Sequence, residues 1–172
     1  MTITDSPGSD PSKPAYTDTN AVISPDGTYR YRLSRTWGEG PTAAFVLLNP
    51  STADADTDDR TVTRCVKYAA GMGFGRLVVV NLFALRSSDP AALESHPAPV
   101  GPRNDAHVAA AVRAADRTIV GWGNAGGRRG REVAGRLDAV LYAIGTTAAG
   151  HPRHPSRTPY DTVVERFEYW KG

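Results

Sequence analysis

Four apolar runs of strand length set the limits on what this chain can fold into: Ala43–Leu48, Leu77–Val80, Thr118–Trp122 and Ala139–Ile144. Continuous apolar runs this short are the pattern of strands covered on both faces. Stretches of helical period lie between them. Val62, Cys65, Val66, Ala69 and Met72 share one helical face, as do Val108, Ala111, Val112 and Ala115, and later Val133 and Leu137. Strand–helix alternation repeated in this way predicts an α/β domain with a mostly parallel sheet.

Ahead of these runs, Tyr29, Tyr31 and Leu33 alternate with Arg30, Arg32 and Ser34, the period of a half-buried strand. The Pro25-Asp26-Gly27 turn precedes it, so an antiparallel hairpin at a sheet edge is expected, with its arginines, Arg35 included, on the wet face. Residues 1–20 are rich in Ser, Thr, Asp and Pro and are expected to be a disordered tail. Residues 21–172 are then one domain, a length that suits a single core. The single cysteine, Cys65, excludes an internal disulfide and any four-cysteine metal site, and its helical register places it in the core. Neither an apolar signal region nor an 18-residue apolar run is present, so a cytoplasmic protein with no membrane partner is expected. A net charge of +2 is too small to establish a polyanionic partner.

In parallel α/β sheets, sites form outside the carboxyl ends of the strands. Those ends hold Asn49-Pro50, Asn81, Trp122 to Asn124 and the His151–Ser156 loop. Asn49 reads either as a reactive-site residue or as the start of a turn. The following loop carries Asp54, Asp56, Asp58 and Asp59, which suit a helix start capped by Thr57 or Asp58, a general base or a hard cation. Gly121 to Gly127 has the spacing of neither a P-loop nor a dinucleotide fingerprint, and a tight strand-to-helix turn accounts for it. His151 and His154 make a poor metal pair without a carboxylate beside them. Anion contact is a better use of that loop: arginine to phosphate, histidine to a developing negative charge, serine to a phosphate oxygen. An exposed loop that binds nothing is the alternative.

The segments LNPSTAD, VVNLFALR and PRHP resemble a bacterial family known as a domain of unknown function, over about Tyr29 to Pro159. In the same order, LLNPS, VVVNLFALR, TIVGWGNAG and the His154-Pro-Ser156 loop resemble the four motifs of the uracil-DNA glycosylase superfamily. That resemblance implies a three-layer α/β/α fold with a four-stranded sheet, to which the N-terminal hairpin would be an addition. It also implies that Asn49 positions a water, that Asn81 and Trp122 contact the base, and that His154 supports the departing base. Arg153, Ser156 and Arg157 would contact phosphates. The first motif carries Asn rather than Asp and is preceded by Leu48 rather than glycine, and the acidic loop after it is an awkward neighbour for a phosphate backbone.

The function expected from this resemblance is binding of an extruded or free nucleobase and hydrolysis of its N-glycosidic bond, with no cofactor and no metal. A nucleoside or nucleotide hydrolase using the same pocket is one alternative. A non-catalytic module that binds nucleic acid or nucleotide is the other.

Overall fold

A computed structural model describes residues 12–170. Its strands are β1 (Asp18–Ile23), β2 (Arg30–Thr36), β3 (Thr42–Leu47), β4 (Arg76–Asn81), β5 (Arg117–Val120), β6 (Leu141–Ile144) and β7 (Val164–Arg166). Four α-helices accompany them: α1 (Arg60–Gly71), α2 (Ala91–Ser95), α3 (Asn104–Ala114) and α4 (Gly127–Arg136). Of the expected N-terminal tail, residues 1–11 lie outside the described residues, and β1 already begins at Asp18.

The sheet corrects the expected architecture. It has seven strands in the order β1-β2-β4-β3-β5-β6-β7, and it is mixed rather than mostly parallel. Pairings β4–β3, β3–β5 and β5–β6 are parallel, whereas β1–β2, β2–β4 and β6–β7 are antiparallel. The four runs read from the sequence supply the central strands. The hairpin is not an addition, because β2 is an interior strand whose Leu33 pairs with Val79 of β4. At the other end, β7 covers the edge of β6, so that strand's backbone groups are paired rather than open.

Side chains alternate across the sheet and divide the core into two layers. On one face Phe45, Leu47, Leu77, Val79 and Ile119 meet Val62, Cys65, Val66 and Ala69 of α1. On the other, Val46, Val78, Val80 and Val120 meet Val108, Ala111 and Val112 of α3 and Val133 of α4. The arginines of the hairpin depart from the wet-face expectation. Arg30 and Arg35 are 2 % and 1 % exposed, inside the α1 layer. Arg35 follows Leu33 at the strand period and so continues the core face on the α1 side.

Burying a guanidinium is tolerable only when its charge and its donors are met. Arg35 Nε donates to Asp58 Oδ1 at 2.9 Å, and its other nitrogens donate to the carbonyls of Ser34, Asp54 and Thr57. Tyr16 and Lys13 donate to Asp58 Oδ2 from the N-terminal side. One arginine thereby fastens the whole acidic loop to the sheet. Asp54 Oδ1 accepts from the amides of Asp56 and Thr57, and Asp59, rather than Thr57 or Asp58, caps α1 through the Val62 amide at 2.9 Å. Three of the four aspartates are committed to this local architecture.

Candidate active site

The carboxyl ends of β3, β4, β5 and β6 share one edge, and two loops close over it on the α1 side. The first is the acidic loop that Arg35 holds. The second runs from Pro152 to Pro159. The Gly123 amide donates to the Pro152 carbonyl at 2.7 Å, and the Arg153 amide donates to the Gly145 carbonyl at 3.1 Å. From α1, Arg64 Nε donates to the Pro155 carbonyl at 2.7 Å, and the Tyr68 hydroxyl reaches the Thr158 and Pro159 carbonyls. The loop comes so close that a Cβ on Gly121 would lie 3.0 Å from the Arg153 carbonyl oxygen and 3.2 Å from Leu47 Cδ2. A larger residue there would have to push these neighbours back by a few tenths of an ångström.

Asn81 ends β4 and pairs with Leu47 of β3. Alternation with Leu77 and Val79 directs its side chain toward the α1 face. It is 1 % exposed, and neither Oδ1 nor Nδ2 has a hydrogen-bond partner among the described residues. Its carbonyl accepts from Asn104 Nδ2 at 2.8 Å. Asn104 therefore ties α3 to the end of β4 rather than capping the helix. Leaving a buried polar group unpaired costs about 1–3 kcal/mol, and Asn81 carries two such atoms on one amide, a donor and an acceptor side by side.

Asn49 lies one turn of chain beyond β3 at the same edge. Its Nδ2 donates to the carbonyls of Ser87 (2.9 Å), Pro50 (3.1 Å) and Leu85 (3.4 Å), which braces the segment after β4. Its one uncommitted side-chain polar atom among the described residues is Oδ1, an acceptor, so it can orient a water through that water's hydrogens but cannot be a nucleophile or a strong base.

His154 opens the short helical turn Pro155–Arg157. Its Nδ1 accepts from the Ser156 amide at 3.2 Å and lies 2.7 Å from the Ser156 hydroxyl. A backbone amide can only donate, so Nδ1 carries the lone pair and the neutral ring holds its proton on Nε2. Burial pushes the His154 pKa down to about 4, with Arg157 adding to the shift and Asp59 opposing it. The ring is therefore a neutral N–H donor across the ordinary pH range. Because the folded value is depressed, this residue's contribution to stability is complete above the unfolded value near 6.5. It is lost as pH falls from there through about 4. Replacing His154 by Asn is expected to flatten the pH dependence of the unfolding free energy in that window, as denaturant titrations at pH 7 and pH 4.5 would measure.

The Asp59 carboxylate, which caps α1, opposes the downward pKa shifts of both His154 and Arg30. Arg30 Nη1 donates to the Ala53 carbonyl at 3.1 Å, while its Nε and that of Arg86 are buried without partners among the described residues. Burial, with Arg86 and Arg35 nearby, brings the Arg30 pKa down to about 10 against the pull of Asp59. Arg30, expected on a wet face, is thus buried against the start of the acidic loop through the Ala53 carbonyl.

The remaining expected residues separate. Trp122, expected to contact the base, lies in the layer on the other side of the sheet from Asn81. It is 1 % exposed, its Nε1 donates to the Tyr169 hydroxyl at 2.7 Å, and it stacks on that ring. A Cβ on Gly126 or Gly130 would lie 2.1 or 2.4 Å from the indole, so these glycines form its seat beneath α4. Ser156, expected to contact phosphate, has its hydroxyl 2.7 Å from His154 Nδ1. Arg153 and Arg157 are exposed on the same loop, with Arg153 Nε on the Thr146 carbonyl at 3.1 Å. Among the described residues no three His, Cys, Asp or Glu side chains gather as a metal site, and no helix is long and apolar enough to cross a membrane.

No curated protein and no solved structure matches the chain. The family described as "Protein of unknown function (DUF1643)" matches residues 30–156, from the buried Arg30 to the Ser156 that orients His154, and the chain belongs to that family.

Proposed function

We propose that this protein binds a nucleobase, extruded from a strand or free, at the carboxyl edge of its parallel strands and hydrolyses the N-glycosidic bond that carries it. The observation that supports the reading most is the Asn81 side chain. A carboxamide buried with both its donor and its acceptor unused is complementary to the adjacent acceptor and donor on a nucleobase edge, and such a pair discriminates between bases. Asn81 is closed off from solvent here, so entry of a base requires the acidic loop or the 152–159 loop to move aside. The order of the four motifs, which resembles that of the uracil-DNA glycosylase superfamily, agrees with this use.

In this reading the bond from sugar carbon to base nitrogen breaks with its electron pair leaving on the base. His154 Nε2–H donates to the negative charge that develops there. Asn49 Oδ1 accepts a hydrogen bond from the water whose oxygen attacks the sugar carbon; that water gives up one proton to solvent as the new C–O bond forms, and the released base takes one up from solvent. Arg153 and Arg157 contact phosphate. The acidic loop favours a second substrate form within the same chemistry, because exposed Asp56 on the rim repels a duplex backbone more than it repels a free nucleoside or nucleotide.

Base release separates these readings. Oligonucleotides containing uracil, hypoxanthine and damaged or hypermodified bases are incubated beside the corresponding nucleosides. Release is expected from at least one substrate and is expected to fall about 10²–10³-fold in His154→Ala, the usual loss for one pre-organised donor. Equal release in the wild type, Asn49→Ala and His154→Ala would sink the hydrolytic reading and leave binding alone.

A further inference from the structure

A second polar cluster lies on the opposite face of the sheet, between β2, β4 and α3. Ser34 of β2 pairs with Val78 of β4, and Arg32 and Arg76 stand to either side of that pair on the α3 face. They line a cleft of about 240 Å³ floored by Val78, Ala111 and Ala114, and His107 of α3 closes one end. The Nε atoms of Arg32 and Arg76 are both buried without partners, and neither guanidinium makes a hydrogen bond or ion pair among the described residues. Two carboxylates stand two residues from the cleft's lining residues: Asp116, which accepts from the Thr42 amide at 2.8 Å, and Asp105, which pairs with Arg129.

Like charges gathered in a partly desolvated cleft repel each other, and the arrangement is favourable only when an anion joins them. Burial, then Arg76, lowers the Arg32 pKa, and burial, then Arg32 and Arg103, lowers that of His107. Guanidinium groups match the paired oxygens of a phosphoryl group better than an ammonium does. His107 stacks on Tyr31 with ring centroids 5.2 Å apart. It also forms part of the wall of an adjoining cleft of about 510 Å³, where Val22, Pro25, Tyr29 and Tyr31 offer an apolar surface. A ligand with an anionic head and an apolar or aromatic body fits the two compartments together, within the usual size of small-molecule sites.

We infer that the groove between β2 and α3 is a binding site for a phosphorylated small molecule, with its phosphoryl group between Arg32 and Arg76 and its body passing His107 toward Tyr29. It lies on the other side of the sheet from Asn81 and His154 and stands independently of any base chemistry there.

The test follows the His107 ring by proton–nitrogen NMR while phosphate replaces chloride at constant ionic strength, with the whole chain in solution. Saturable shifts at His107 are expected, together with a rise in its pKa as the neighbouring cations are neutralised. A nucleoside monophosphate is expected to bind at least tenfold more tightly than inorganic phosphate, because its body occupies the second cleft. Glycerol phosphate, which lacks an aromatic body, should resemble inorganic phosphate. Arg32→Gln and Arg76→Gln are each expected to weaken binding at least tenfold while leaving the unliganded protein as stable as before, since each removes a repelling charge. Should a variant fail to fold, the wild-type His107 titration still decides the matter. Absence of a saturable shift with any of the three phosphates would overturn the site. So would equal shifts from chloride and phosphate, or undiminished binding in folded variants, as expected if the arginine stems only cover α3.

Discussion

Replacing Arg35 by alanine is expected to destabilise the protein by about 3–5 kcal/mol, the cost of stranding a buried charge by removing its partner. The arginine meets Asp58, whose side chain is 8 % exposed, and its other nitrogens hold the carbonyls that shape the acidic loop. Asp58→Ala should cost a comparable amount from the other side. Arg35→Lys should recover only part of the loss, because an ammonium cannot reproduce the fork of donors. The same pair sets an acid limit on stability. Burial pushes the Asp58 carboxyl up, but hydrogen bonds from Tyr16, Lys13 and Arg35, with the arginine's charge, outweigh it and the net shift is downward. A depressed folded value stabilises above the ordinary carboxylate range, and that stabilisation is lost as pH falls through the folded value. Urea unfolding of wild type and Arg35→Ala at pH 7 and pH 3 should therefore show a large gap at neutral pH that narrows in acid. A gap below 1 kcal/mol at pH 7 would contradict the role given to the pair.

Asn81→Leu is expected to behave in the opposite way. Leucine is close in shape to asparagine and leaves no polar atom to satisfy, so the unliganded fold should be unchanged or more stable by about 1–3 kcal/mol. Binding of a nucleobase and any base release should be abolished together. A substitution that strengthens the fold while removing its activity marks a residue kept for its ligand. Asn104→Leu is a suitable contrast. That side chain is also fully buried, but it donates to the Asn81 and Leu82 carbonyls, so its loss should weaken the fold. Thermal unfolding of both variants separates the two cases, and a lower melting temperature in Asn81→Leu would count against the pocket.

The central strands and the shared strand edge were legible in the sequence, because apolar continuity reports burial on both faces. The antiparallel β1–β2 hairpin was also legible, through its Pro25-Asp26-Gly27 turn, whereas β7 was not. Val164–Arg166 is too short to show a period, and the polar first half of β1, Asp18 to Asn20, hides where that strand begins. Burial of Arg35 depends on a carboxylate 23 residues further on, a distance that no local pattern encodes. Trp122 shows a signal that could have been read differently: Gly126 and Gly130 follow it at one-turn intervals, the space an indole needs beneath a helix. In contrast, Asn49, Asn81 and His154 stand at the edge where strand–helix order placed them, since in parallel sheets topology alone brings strand ends together.

The most direct measurement follows the Asn81 side-chain amide by nitrogen-15 NMR as free uracil, hypoxanthine, adenine, guanine and cytosine are titrated in turn. The amide is expected to shift saturably with at least one base as its unpaired donor finds an acceptor, and Asn81→Leu is expected to lose that affinity. Should no base move this resonance, or should binding survive in Asn81→Leu, the carboxyl edge of the sheet is not a nucleobase pocket.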